Sequence, residues 1–208
     1  MKTPGRYRTE SGGRVRPPDG TPWPLNAACP TLYRLAALYS TVQGEGRLTG
    51  TPMTIVRLLG CPVACVWCDT PETWDPKIGA GVLISKDPGP GHHLVPGEQW
   101  QAEAIAARCG ALGPFWALIT GGEPCWHDLG ALTSALAGQG IKRSLETSGT
   151  YPITGMWDWV CISPKPAGLR PLNTWNLRAA NEIKWLIGRE TDLAALEAFL
   201  IEQREMLV

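Results

Sequence analysis

The chain of 208 residues carries 19 basic and 19 acidic side chains, and 44% of its residues are hydrophobic. A chain of this length forms one domain with a sizeable core, and its zero net charge gives no general attraction for nucleic acid or acidic membranes. No segment reaches the roughly 18 consecutive apolar residues of a membrane-spanning helix, and the N-terminus lacks the apolar region of a signal peptide. These properties predict a cytoplasmic protein with neither a membrane nor nucleic acid as a direct partner.

Residues 1–30 form a predicted flexible arm, because they are rich in Pro, Gly and Arg and contain no periodic apolar pattern. The predicted domain covers residues 31–208. Within it, residues 71–97 break into turns around one short apolar run, which predicts a loop insertion. His92 and His93 lie in this loop, where a solvent-facing pair is expected rather than a metal site.

Predicted strands and helices follow in chain order. The short apolar runs "LYRLAALYST" and "TPMTIVRLLG" predict strands, and "GEQWQAEAIAARCGAL" predicts a helix. "PFWALIT" predicts a strand, "HDLGALTSALAGQG" a helix that ends at Gly138 or Gly140, and "IKRSLET", "WDWVCIS" and "NEIKWLI" further strands. "TDLAALEAFLIEQRE" predicts a last helix with Thr191 or Asp192 as its N-cap. This alternation is typical of parallel βαβ units.

A polar motif comes directly after each of five predicted strands. In chain order these motifs are "STVQGEG", "GCPVACVWCDT", "TGGEP", "ETSGT" and "SPKP". Ligands of parallel α/β sheets bind at the carboxyl ends of the strands. A curved parallel sheet would therefore bring all five motifs to one rim.

Cys61, Cys65 and Cys68 share one predicted loop with the spacing C-x3-C-x2-C. Disulfide pairing fits poorly, because the expected compartment is reducing and three thiols leave one over. A structural zinc site normally takes four ligands, and Cys125 or Cys29 could complete it only from a distance. Three thiolates on a tight loop favour a [4Fe-4S] cluster with one iron left for an exogenous ligand. A non-catalytic zinc-binding or electron-transfer module remains the alternative.

The pattern C-x3-C-x-aromatic-C, with Trp67 as the aromatic residue, resembles the signature of radical S-adenosylmethionine (SAM) enzymes. In that superfamily the open iron chelates SAM, and reductive cleavage gives a 5′-deoxyadenosyl radical that abstracts hydrogen from the substrate. The glycines of "TGGEP" would let the backbone approach a charged ligand closely. The resemblance implies that SAM is bound by six residues: Trp67, Gly122, Glu123, Ser163, Pro164 and Lys165.

The ordered motifs "TVQGEG", "RLLGC", "WCDT", "TGGEP", "ETSGT" and "SPKP" resemble the 7-carboxy-7-deazaguanine synthase family over residues 33–187. The resemblance implies an α/β fold, a truncated or modified (β/α) partial barrel of the radical SAM type, in a homodimer. It implies a carbon-nitrogen lyase that converts 6-carboxy-5,6,7,8-tetrahydropterin to 7-carboxy-7-deazaguanine in queuosine-type 7-deazapurine biosynthesis. The steps would be hydrogen abstraction at C6, ring contraction and ammonia loss, with a flavodoxin- or ferredoxin-type electron donor.

Two side chains suit a carboxypterin on chemical grounds. The Glu146 carboxylate can accept two N–H donors of the pterin's pyrimidine edge, and Arg57 offers a planar fork for the substrate carboxylate. On the residues alone, Glu146 could instead be a capping residue and Arg57 a salt-bridged strand-end arginine. The resemblance implies a substrate set of Val42, Gln43, Gly44, Glu45, Arg57, Thr120 and Glu146. It also places Thr70 where the family binds Mg²⁺, an ion that prefers oxygen ligands.

The sequence departs from the family pattern in four places, one of which is the loop over residues 71–97. Pro62 replaces an Asn after the first cysteine, and Ser148 replaces the Asn of "ETNG". The chain stops at Val208, where family members usually continue through another strand and a tail that helps close the substrate pocket. Either that wall is missing, or the N-terminal arm or a dimer partner replaces it. Within radical chemistry, the alternative function is an activase that installs a glycyl radical on a partner enzyme.

Overall fold

The computed structural model describes residues 28–74, 98–165 and 170–207, and the backbone of three two-residue strands outside these ranges. The strands are β1 Arg8–Thr9, β2 Val15–Arg16, β3 Leu32–Val42, β4 Pro52–Leu58, β5 His92–His93, β6 Gln99–Gln101, β7 Trp116–Gly121, β8 Lys142–Thr147, β9 Trp159–Ile162 and β10 Glu182–Ile183. The α-helices are α1 Ala102–Leu112, α2 Gly130–Gly138 and α3 Glu190–Glu202. Short 3-10 helices cover Pro71–Thr73, Pro124–Trp126, Thr174–Ala179 and Arg204–Met206.

The predicted arm and the predicted insertion fall mostly outside the described residues. In the arm, β1 pairs with β2 in antiparallel fashion. In the insertion, β5 pairs with β3, with His93 opposite Leu38. The backbone of the two histidines therefore extends one edge of the main sheet.

One mixed sheet organises the part of the chain that the structure describes. Its strand order is β10-β9-β8-β7-β4-β3-β5, and β6 pairs with another stretch of β3. The strands from β10 to β4 are parallel to one another. The path has two ends, so the sheet is an open, partial barrel, as the resemblance implied.

The prediction that all five motifs meet at one rim is wrong for "STVQGEG". Strand β3 runs antiparallel to β4, with Val42 opposite Pro52 at the start of β4. The loop after β3 therefore leaves from the end of the sheet opposite to the other motifs. The reason is the length of the connection, because residues 43–51 are too few for a parallel crossover, which takes about a dozen residues or more.

Helices α1 and α2 cover one face of the sheet, which we call the outer face. Its core joins Ile119 and Leu145 of the strands to Ile105 of α1 and Leu132 of α2. The other side, the inner face, bears a small apolar cluster of Met53, Ile55 and Leu118. Side chains alternate between the two faces along each strand, so Ser144 and Glu146 share the inner face with these residues.

The C-terminal segment differs from its prediction in detail. "NEIKWLI" forms only the two-residue strand β10. Helix α3 begins after Arg189 as N-cap, and Asp192 is its N3 residue, which accepts hydrogen bonds from the backbone N–H groups of Gly188 and Arg189. Among the described residues, no helix has the length and apolar character needed to cross a membrane.

Candidate active site

The loop after β4, which carries the three cysteines, lies directly against the loop after β7. Gly122 donates its N–H to the Leu58 carbonyl oxygen at 3.0 Å, and Glu123 donates to that of Gly60 at 2.8 Å. A Cβ on Gly122 would lie 2.2 Å from the Gly60 oxygen, and one on Gly121, whose φ is +122°, would lie 2.3 Å from the Leu58 oxygen. The glycines of "TGGEP" thus allow two backbone segments to touch, a role that the sequence did not reveal.

The carboxylate of Glu123 joins the loop after β7 to the loop after β8. It is buried, with 1% relative exposure. It accepts hydrogen bonds from the N–H groups of Cys125 at 3.0 Å and Ser148 at 2.8 Å, and from the hydroxyls of Thr147 at 2.5 Å and Ser148. Because four donors of the chain satisfy this carboxylate, Glu123 has a structural role and connects the loops after β7 and β8. Its predicted contact with SAM stays a prediction.

The loop after β9 continues the same edge. Ser163 donates its N–H to the Thr147 carbonyl oxygen at 2.8 Å, and Lys165 Nζ donates to Ser163 Oγ at 3.1 Å. Pro164 is buried. Burial raises the pKa of the Cys65 thiol, and the Lys165 ammonium nearby partly opposes that rise. Four of the five motifs therefore meet at one rim, as predicted.

All seven cysteines lie among the described residues, and none forms a disulfide. Burial is the main reason why the pKa of Cys61 rises to about 11, and the charge of Cys65 adds to it. Cys68 likewise adds to the raised pKa of Cys65. The negative charge of one thiolate raises the pKa of the next, so a positively charged metal centre bound by all three would relieve this repulsion. Metal binding deprotonates such thiols.

The donor set fits an iron-sulfur cluster. No three or more His, Cys, Asp or Glu side chains in the described ranges are arranged around a single metal ion. A [4Fe-4S] cluster needs a wider arrangement, because each thiolate binds a different iron. Arg170 Nε donates to the Pro62 carbonyl oxygen at 2.6 Å, so the segment between Cys61 and Cys65 is tied to a neighbouring loop.

The end of the cysteine loop is open to solvent. Val66 is 90% exposed and Trp67 is 45% exposed. The Thr70 hydroxyl lies 3.8 Å from Cys68 Sγ and 3.5 Å from Asp69 Oδ1. The Trp67 ring and two hard oxygens, those of Thr70 and Asp69, therefore lie beside the cysteines.

A shallow cleft opens on the inner face beneath the hairpin loop, residues 44–50, which joins β3 to β4. Three predicted substrate residues line it: Gln43, Glu45 and Glu146. Gly46, the last residue of "STVQGEG", also lines it, and the lining further includes six residues that lie outside every motif: Leu48, Ser144, Trp159, Cys161, Glu182 and Lys184. Because β3 and β4 are antiparallel, the loop between them folds over the sheet and brings side chains of "STVQGEG" to Glu146.

Charged side chains meet inside this cleft. Gln43 Nε2 donates to Glu146 Oε1 at 3.1 Å, and Lys184 Nζ lies 2.8 Å from Glu45 Oε2 and 3.3 Å from Glu146 Oε2. Burial lowers the pKa of Lys184, but the hydrogen bond to Glu45 and the two carboxylate charges outweigh it and leave that pKa above its usual range. The amine is therefore a stable cation.

The remaining predicted substrate residues lie beside the cleft and not in its lining. Arg57 and Thr120 pair directly across β4 and β7. Val42 is 56% exposed and Gly44 is exposed, both on the hairpin. The structure therefore gathers three of the seven predicted residues in one cleft and places two more on the adjacent strands.

Comparisons with known proteins agree with this geometry. No protein-family model matches the chain. The crystal structure of QueE from Escherichia coli matches with a TM-score of 0.69 and 36% identity, and the match covers 82% of this chain and 77% of that one. With the cysteine triplet and the Gly-Gly-Glu turn at its rim, the open sheet defines a partial barrel of the radical SAM class.

Sequence relatives narrow the class further. The 7-carboxy-7-deazaguanine synthase of Synechocystis sp. is 36% identical over 177 residues, which are 84% of this chain and 76% of that protein. The synthase of Escherichia coli is 37% identical over 180 residues, with coverages of 81% and 78%. The chain belongs to the 7-carboxy-7-deazaguanine synthase family. This membership favours the enzyme over the glycyl-radical activase and the zinc or electron-transfer module.

Proposed function

We propose that this enzyme converts 6-carboxy-5,6,7,8-tetrahydropterin to 7-carboxy-7-deazaguanine, as a carbon-nitrogen lyase of queuosine-type 7-deazapurine biosynthesis. The reaction involves hydrogen abstraction at C6, ring contraction and ammonia loss. The observation that carries the proposal is the inner-face cleft, where Gln43, Glu45 and Glu146 converge. Two carboxylates in one cleft match the row of N–H donors on the pyrimidine edge of a pterin.

The rim holds the cofactors in this proposal. Cys61, Cys65 and Cys68 bind a [4Fe-4S] cluster, and SAM lies along Trp67, Gly122, Glu123, Ser163, Pro164 and Lys165. When bound, the cluster and SAM supply the radical that removes a hydrogen atom from the substrate. The backbone contacts of Gly122 and the buried hydrogen bonds of Glu123 support this assignment, because they fix the cysteine loop relative to the neighbouring loops.

The substrate lies across the inner face, from Glu146 to Arg57. Thr120 of β7 is the direct partner of Arg57 in β4. The preceding residue of β7 is paired with the residue of β8 that precedes Glu146, so Thr120 and Glu146 are also neighbours across the two strands. Adjacent strands are about 4.8 Å apart, so the row Arg57, Thr120 and Glu146 spans about 10 Å, comparable to a bicyclic pterin with its carboxylate. Glu146 accepts the N–H groups of the pyrimidine edge, Arg57 binds the carboxylate, and the backbone of Val42 and Gly44 contacts the ring.

Mg²⁺ is proposed to bind at Thr70, beside the substrate carboxylate. Asp69 Oδ1 lies 3.5 Å from the Thr70 hydroxyl and offers a second hard oxygen, the ligand type that Mg²⁺ prefers. The measurement is the Mg²⁺ dependence of turnover in the Thr70→Val variant. A Mg²⁺ requirement equal to that of the wild type would remove Thr70 from the metal site.

A homodimer and an external electron donor complete the proposal, in the cytoplasm. Helix α3 has no buried residue and exposes Leu193, Leu200 and Ile201, as a helix covered by a second subunit would in the isolated chain. The exposed Val66 and Trp67 leave the cysteine loop accessible to a flavodoxin- or ferredoxin-type donor. Sedimentation velocity tests the dimer, since a single monomeric species at all concentrations contradicts it.

The decisive experiment is anaerobic reconstitution with iron and sulfide, followed by incubation with reductant, SAM, Mg²⁺ and the carboxypterin. We expect 7-carboxy-7-deazaguanine and ammonia in equal amounts. The control is the same mixture without reductant. Unchanged pterin in the presence of an intact cluster and bound SAM would refute the proposed substrate.

A further inference from the structure

Lys184 occupies the centre of the charges in the cleft, although no motif pointed to it. Its ammonium contacts one oxygen of Glu146 at 3.3 Å, while Gln43 donates to the other oxygen at 3.1 Å. Each oxygen of Glu146 is therefore held by one donor of the chain. Because a carboxylate oxygen can accept two hydrogen bonds, each oxygen still has room for one N–H of a ligand. Gln43 and Lys184 thus fix the orientation of the Glu146 carboxylate, and this orientation sets the plane in which the N–H groups of a ligand must approach.

The same lysine also reaches the hairpin loop. Lys184 Nζ donates to Glu45 Oε2 at 2.8 Å. Glu182 accepts hydrogen bonds from the backbone N–H of Arg47 at 3.3 Å and from Trp159 Nε1 at 3.0 Å. A Cβ on Gly46 would lie 2.1 Å from Glu182 Oε1, so the loop backbone lies directly on this side chain. Two side chains at β10 therefore hold the loop over the inner face.

We propose that Lys184 is a positioning residue of the pterin cleft, which orients the Glu146 carboxylate and, through Glu45, holds the loop of residues 44–50 over the substrate. The inference rests on the proposed function, in which Glu146 receives the pyrimidine edge of the pterin. Lys184 acts through these two carboxylates and makes no contact of its own with the substrate. One cation between two carboxylates also leaves the cleft with a net negative charge, which suits a ligand edge made of N–H donors.

The test compares three variants of the reconstituted full-length enzyme. Lys184→Met removes the charge but keeps most of the side-chain length, and Lys184→Arg keeps the charge. Lys142→Met is the matched control, because Lys142 lies at the start of strand β8 and outside the cleft lining, where its ammonium stands 5.2 Å from the centre of the Trp116 ring. The readouts are the Kd of the carboxypterin from equilibrium dialysis, kcat and KM, and SAM cleavage without substrate.

We expect Lys184→Met to raise both Kd and KM about tenfold or more, because a hydrogen-bonded charged partner of Glu146 is lost. The value of kcat should change much less, and substrate-independent SAM cleavage should equal that of the wild type. Lys184→Arg should recover most of the affinity, since guanidinium can bridge the same two carboxylates. Lys142→Met should behave like the wild type.

Tetrahydropterin without the 6-carboxylate separates positioning from direct contact. If Lys184 acts through Glu146, Lys184→Met weakens binding of this analogue and of the carboxypterin by the same factor. A loss confined to the carboxypterin overturns the proposal, because it assigns Lys184 to the substrate carboxylate. Wild-type affinity in Lys184→Met, or an equal loss of cluster and SAM cleavage, overturns it as well. A wild-type enzyme that neither binds nor converts the carboxypterin refutes the proposed function itself.

Discussion

The rim and the inner-face cleft lie side by side but are built from different interactions. At the rim, Gly122 and Glu123 connect neighbouring loops through backbone contacts and one buried carboxylate with four donors. In the cleft, Glu45, Glu146 and Lys184 are held by partly exposed ion pairs between long side chains. The rim therefore has a geometry fixed by packing, whereas the cleft can exchange its internal partners for those of a ligand.

Removing a cysteine ligand should have the largest effect. Cys65→Ala is expected to abolish cluster binding and all turnover, because two thiolates cannot retain the cluster on this loop. Iron content and the visible absorption spectrum measure the loss. Cys29→Ser is the control, since Cys29 lies outside the cysteine loop and should leave the iron content unchanged. A Cys65→Ala enzyme that keeps its full iron content would show that the rim does not hold the cluster.

Glu146→Gln should damage the cleft and leave the rim intact. Loss of a charged acceptor costs about 2 to 3 kcal/mol, so we expect kcat/KM to fall about 30- to 160-fold. Substrate-independent SAM cleavage should stay at the wild-type rate, because the Glu146 side chain hydrogen-bonds to Gln43 and Lys184, which lie outside the cysteine loop and the loop after β7. If SAM cleavage falls in parallel with kcat/KM, the two regions do not function separately.

Gly122→Ala tests the close backbone contact of the rim. The added methyl group would lie 2.2 Å from the Gly60 oxygen, so one of the two loops must move. We expect a loss of about 3 kcal/mol in the free energy of unfolding, the upper part of the usual range for overpacking. Gly138→Ala is the control, because a methyl group added to this glycine at the end of α2 would meet nothing within 4 Å. Equal stability of the two variants would contradict the role assigned to Gly122.

The pH dependence of stability should also distinguish the two regions. His127, which follows the 3-10 helix after Glu123, is buried, and burial lowers its pKa from 6.5 to about 4. The unfolded chain therefore binds a proton first as pH falls, and the folded state loses about 2 kcal/mol between pH 7 and pH 5. His127→Leu should remove this component in denaturant titrations at both pH values. An unchanged pH dependence in the variant would show that His127 titrates normally.

The sequence predicted the rim well because its motifs are local. "TGGEP", "ETSGT" and "SPKP" each follow a recognisable apolar run, and parallel strands align their carboxyl ends without further information. The direction of β3 was missed, although the short connection over residues 43–51 carried that signal. The loops were therefore assigned correctly where neighbouring strands are joined by crossovers.

The cleft was only half predicted. Gln43, Glu45 and Glu146 came from the resemblance, but Lys184 lies 139 residues from Glu45 in sequence. The alternation of "EIK" places Glu182 of β10 and Lys184, which directly follows this strand, on one face, yet nothing in a two-residue strand says which segment will cover that face. Pairings of this kind depend on tertiary packing, which one sequence without structure does not reveal.

The contact between Gly60 and Gly122 also has a consequence for engineering. Since the radical-generating part of the molecule is locked by backbone atoms, its alignment does not depend on the identity of side chains in the cleft. A library that varies Ser144, Trp159 and Cys161 can therefore explore other small heterocycles while radical generation at the rim is left unchanged, and Glu182 is kept because it holds the hairpin loop. Directed evolution of new substrate ranges should begin at these three positions and leave both glycines fixed.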